Sequence, residues 1–158
     1  MTYSHTQKAY LAHAVMVAGT VALAVGYVTE ALEPFLLVAL ILIATGIVCA
    51  ACFGTLTVAD EGECLRVRFG PVPLFGTRIR YAEVTTFAPD RSKFIDGWGI
   101  HYVPWRGMTY NIWGFACVTF SVGGKIVRIG TDDPGGLIEF LKTRIPEAAS
   151  RSRLDSRR

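Results

Sequence analysis

Cys49 and Cys52 form a C-x-x-C, the spacing at which two thiols exchange disulfides or share a metal. Either chemistry needs a neighbouring base, cation or further ligand. The surrounding run FLLVALILIATGIVCAACF supplies none, so the pair reads as small packing residues in an apolar helix. His5, His13 and His101 are scattered and show no H-x-x-x-H spacing, which leaves no metal site to assemble. His13 stands alone in the first apolar run. Without an acidic partner there, it reads as a residue bonded to a backbone carbonyl or reaching head groups, not as a step in a proton path.

Asp132 and Asp133 resemble a metal-binding pair until Pro134 is read with them. Carboxylates just ahead of a proline at the first helical turn complement a helix N-terminus. Gly97-Trp98-Gly99 opens no helix after a strand, so it is no dinucleotide fingerprint. No serine, threonine or cysteine occupies a nucleophile motif with an orienting base. The expectation is a protein without a catalytic centre, cofactor or metal.

Aromatic and basic residues interleave between Arg91 and Trp113: Lys93, Phe94, Trp98, Tyr102, Trp105, Arg106 and Tyr110. Trp98 and Trp113 suit the interior of a small barrel. Val103 to Met108 reads as a loop tip, and Trp105 with Arg106 is the candidate contact with a membrane surface. The net charge is +3, and the C-terminal tail accounts for it. Arg151, Arg153, Arg157 and Arg158 face only Asp155 there, so the remaining chain is neutral. These four arginines are the second candidate surface contact, on a tail expected to be disordered over 147–158. Nothing in the pattern calls for nucleic acid.

The elements that would position these residues divide into two parts. Apolar residues make up 51% of the chain, and the excess gathers before Gly54. After an N-terminal flank, 1–8, come two uncharged runs over 9–28 and 35–53, each about the length of a bilayer core at 1.5 Å per residue. The connection between them is so short that the helices must run antiparallel. It carries Glu30 and Glu33, whereas every Lys and Arg except Lys8 follows the second run. Basic flanks stay on the cytoplasmic side. The expectation is a multi-pass protein of the inner or plasma membrane with both termini cytoplasmic, in which Ala18, Gly19, Ala22 and Gly26 meet Ala44, Gly46, Ala50 and Ala51 in a small-residue seam.

Beyond Gly54 the period becomes two. Leu56–Ala59 and Cys64–Phe69 read as a hairpin, with Leu65, Val67 and Phe69 on one face. Further strands are expected over 79–87, 97–103, 108–113, 116–122 and 125–131, with Gly123-Gly124 in a two-residue turn. A helix over 134–145 then carries the apolar stripe Leu137, Ile138, Leu141 and Ile145. Pairing between Cys64 and Cys117 is open at this level.

About seven antiparallel strands closed by one C-terminal helix resemble a pleckstrin-homology-like domain. Following a two-helix hairpin, the whole chain up to Pro146 resembles uncharacterised bacterial membrane proteins that carry such a domain after two transmembrane helices. The likeness lies in Gly97-Trp98-Gly99-Ile100, Tyr110-Asn111-Ile112-Trp113-Gly114 and Arg128 to Pro134 leading into Leu137. It implies a membrane α-helical hairpin plus an α+β domain, a partly open barrel over 54–146. It also implies a binding or scaffolding role towards a protein partner, with homo-oligomers conceivable and a lipid-surface sensor as the alternative. A small membrane enzyme or transport accessory is the third reading. Asp60, Glu61 and Glu63 in the first hairpin turn speak against phosphoinositide binding there.

Overall fold

The computed structural model describes residues 2–30, 33–72, 74–93, 95 and 99–146, excepting the side chains of 11–13, 15, 16, 30, 33–39, 42 and 49. His13, Cys49, Phe94, Trp98 and the tail arginines fall outside the described residues or side chains.

Strand β1 (Ser4–Lys8) leads into helix α1 (Tyr10–Glu30), α2 (Glu33–Phe53) and β2 (Thr55–Asp60). β1 and β2 pair antiparallel, from Ser4 opposite Ala59 to Lys8 opposite Thr55. The helix pair is therefore an excursion out of one strand pair. Its exit and return are tied by the Ala9 N–H donating to the Gly54 carbonyl at 3.0 Å. The flank expected over 1–8 is thus a strand at a sheet edge.

Strands β3 (Cys64–Phe69) and β4 (Gly76–Arg80) complete the first sheet, in the order β1-β2-β3-β4. A short 3-10 turn, Tyr81–Glu83, then carries the chain across to β5 (Val84–Arg91) in a second sheet. That sheet also holds β6 (Gly99–Val103), β7 (Gly107–Asn111), β8 (Ala116–Val122) and β9 (Lys125–Gly130), in the order β5-β8-β9-β7-β6. β7 and β9 run parallel. Helix α3 (Pro134–Arg144) closes the described chain, capped by Asp133, whose carboxylate accepts the Gly136 N–H at 2.9 Å.

One apolar core joins both sheets and α3. Leu65, Val67 and Phe69 alternate inward from β3 and meet Val118, Phe120 and Ile129 of the second sheet with Leu137 and Leu141 of α3, all fully buried. Asn111 is buried with them and fully engaged: its amide donates to the Gly114 carbonyl and its oxygen accepts the Trp113 N–H.

Two expectations are corrected here. Among the described residues no helix is long and apolar enough to cross a membrane. A span needs roughly twenty continuous apolar residues in one helix. This overturns the membrane helical hairpin, its transmembrane assignment and the multi-pass inner or plasma membrane localisation. The barrel is corrected as well. The expected strand over 79–87 breaks at Tyr81–Glu83 because the chain changes sheets there, and the parallel β7/β9 pair departs from a wholly antiparallel arrangement. The described chain holds nine strands in two sheets, with three α-helices.

Candidate binding surface at the β6–β7 hairpin

The β6–β7 hairpin turns through Val103, Pro104, Trp105, Arg106 and Gly107. The Arg106 N–H donates to the Val103 carbonyl at 3.0 Å, which closes a four-residue reverse turn. Proline at its second position fixes φ there. The third position requires a positive φ in this geometry, a place for glycine or asparagine. Trp105 occupies it at φ 66°, and among the described residues no other non-glycine has a positive φ. Its side chain is 95% exposed. A bulky residue in the left-handed region costs roughly 1–2 kcal/mol, and here no burial offsets it.

Gly107, at φ 85°, follows for a steric reason. A Cβ there would lie 2.1 Å from the Ile126 carbonyl oxygen at the start of β9. That close approach sets the tip beside Lys125 and the partly exposed Ile126, with Tyr102 exposed on β6. Two turns, β6–β7 and β8–β9, thus present one aromatic and basic surface.

The tip is fastened from behind. Arg128 lies on the outer face of β9, opposite Thr109 of β7 and Thr119 of β8, and is nonetheless buried. Its Nη1 donates to the Arg106 carbonyl, and its Nε donates to Asp90 Oδ2 at 3.3 Å. The same Asp90 oxygen accepts the Thr119 hydroxyl at 2.8 Å, and Oδ1 accepts the Arg91 N–H at 2.7 Å. Burial pushes the Asp90 carboxyl upward. The Arg91 N–H, the Thr119 hydroxyl and the Arg128 guanidinium outweigh that and hold it below the usual carboxylate range. A charge-assisted chain therefore runs from β5 through β8 and β9 to the backbone of the tip. Sequence reasoning missed Asp90 and Arg128 as a pair, because 38 residues separate them and only the strand order β5-β8-β9 brings them together.

Other sequence candidates have structural partners elsewhere. Asp133 caps α3 and accepts the Tyr3 hydroxyl at 3.3 Å, and Asp132 lies 2.5 Å from His5 Nε2. Both bind β1 to the start of α3. Burial, followed by the Asp133 charge, pushes the Tyr3 phenol well up, and burial with the Asp60 bond does the same to Tyr81. Trp113 packs partly buried against the core. Cys64 is a free thiol on β3, in a different sheet from Cys117 on β8. Among the described residues no cluster of three His, Cys, Asp or Glu could hold a metal ion.

No family model, curated protein or solved structure matches this chain.

Proposed function

We propose that the chain is a non-catalytic binding module that takes a protein partner on the surface formed by Trp105, Tyr102, Lys125 and Ile126. The observation that carries this reading is Trp105 itself, strained at positive φ and exposed over nearly its whole surface. Backbone strain at an exposed aromatic destabilises the free protein, and such strain persists where function needs the side chain in place. Tryptophan supplies a large contact area and is enriched among the residues that dominate binding energy. The Asp90–Arg128 chain behind the tip supports the same reading, because a preorganised tip loses less freedom on binding.

A photo-reactive residue at position 102 tests the reading in cells. It should yield a discrete adduct with another protein, and the adduct should vanish in Trp105→Gly while thermal stability holds or rises slightly. An adduct indifferent to Trp105→Gly, or no adduct, overturns it.

A further inference from the structure

Each sheet ends on two edge strands, and an unpaired edge is a template for another strand. Charged residues and proline are the devices that keep such edges from pairing. Three of the four edges carry them: β1 has Lys8, β4 has Arg78 and Arg80, and β5 has Pro89, Asp90 and Arg91. The fourth does not. β6 reads GIHYV, without lysine, arginine, aspartate, glutamate or proline.

The β6 backbone is bonded on one side only. Its register with β7 runs from Gly99 opposite Asn111 to Val103 opposite Gly107, and among the described residues its backbone makes no hydrogen bond outside that hairpin. The remaining N–H and C=O groups face outward. At the Gly99 end of this edge lies an apolar cleft of about 560 Å³. Gly99, Ile100, His101 and Ile112 line it from the second sheet, and Phe53 and Phe75, stacked at 5.3 Å between ring centroids, line it from the end of α2 and the β3–β4 connection. At the Val103 end stands Trp105, exposed and strained. One edge thus carries an apolar recess at its beginning and an aromatic knob at its end.

Such an edge is complementary to itself. In an antiparallel pair with His101 on the two-fold axis, Gly99 lies opposite Val103 of the other copy and Ile100 opposite its Tyr102, so all five residues of both strands are used. The turn after Val103 then continues past Gly99 of the other copy. Trp105, two residues on, stands within about 7 Å of that point along the strand axis, at the end where the cleft lies. The symmetry supplies the same contact twice. A tryptophan enclosed in this way buries about 150–250 Å², which offsets the strain its exposed position leaves uncompensated. An unrelated extended peptide would satisfy the edge but leave Trp105 exposed, whereas a second copy accounts for both.

We infer that two copies of the chain join antiparallel through β6, which extends the second sheet across a two-fold axis, and that Trp105 of each copy fills the cleft of the other. The second copy is then the protein partner of the Trp105 surface, so the inference rests on that reading and names its partner.

Disulfide capture in the full chain tests it. His101→Cys, at an exposed position, sets two thiols across the axis and on mild oxidation should give a dimer of twice the protomer mass, well above the background from the native cysteines. Ala88→Cys, exposed on the proline-bearing edge β5, should give background only, which separates capture at β6 from chance association of exposed helices. Sedimentation of the unoxidised chain should show a dimer whose dissociation constant rises about thirtyfold or more in Trp105→Gly. Tyr102→Lys, which places a charge on the bare edge, should raise it too. Equal capture at positions 88 and 101, a chain that stays monomeric, or a dimer indifferent to both changes overturns the inference. The photo-reactive residue at position 102 separates the dimer from the reading beneath it. An adduct of twice the protomer mass supports both, an adduct of another mass that still needs Trp105 overturns the dimer alone, and no adduct overturns both.

Discussion

Apolar side chains meet opposite fates in the two regions of this molecule. In the β unit they alternate with polar residues and turn inward, so that Leu65, Val67 and Phe69 are sealed against Val118, Phe120 and Ile129. In the helix pair they do not alternate at all, and Val21, Val28 and Ile47 remain exposed. The β unit satisfies its apolar surface by itself. The helix pair leaves that task to whatever surrounds it. The same residue types are therefore sealed in one region and exposed in the other, and the periodicity of the sequence distinguishes the two cases.

The largest test of this contrast is a matched pair of truncations. Phe69→Ala removes a ring from the centre of the core and should cost about 3–5 kcal/mol of unfolding free energy. Val21→Ala should change it by less than about 0.5 kcal/mol. Denaturant unfolding of both variants under the same conditions measures the difference, and equal losses would erase the distinction between the regions.

Gly70→Ala strikes the joint between them. Its Cβ would collide with the Ala51 carbonyl in a left-handed backbone, at a cost of roughly 1–3 kcal/mol. Loss of protease protection after Phe53, with the β unit still folded, is the expected pattern.

A smaller loss, about 1 kcal/mol, is expected for Asp133→Ala, which uncaps α3 and frees the Tyr3 hydroxyl. Melting temperature reads it.

The last effect is one of pH. Tyr3 and Tyr81 have folded-state pKa values raised above that of an ordinary phenol, because burial and the neighbouring Asp133 and Asp60 disfavour the phenolates. Their contribution is complete below about pH 10 and is lost as pH rises beyond it towards the higher folded values. Tyr3→Phe with Tyr81→Phe should flatten the alkaline fall in melting temperature.

Much of the β unit was legible because its signals are local. Leu65, Val67 and Phe69 announce β3 by alternation, Gly123-Gly124 marks the turn between β8 and β9, and Asp133-Pro134 marks the start of α3. β1 was not legible, since Ser4–Lys8 is polar and becomes a strand only by pairing with β2, some fifty residues away. The change of sheet at Tyr81–Glu83 and the parallel β7/β9 pair were hidden for the same reason: each depends on which strands meet. Trp105 and Arg106 could be picked out by type and by their proline-glycine setting. The Arg128–Asp90 support behind them could not. The apolar runs over 9–28 and 35–53 were plain in the sequence, but the transmembrane assignment drawn from them does not stand.

Amide hydrogen exchange of the full chain tests the division between the regions most directly. The amides of β3, β8 and β9, which carry the sealed core, should exchange only on global unfolding, and those of the stretch Val17–Thr29, with its exposed apolar side chains, should exchange much faster. Equal protection in the two regions would contradict it.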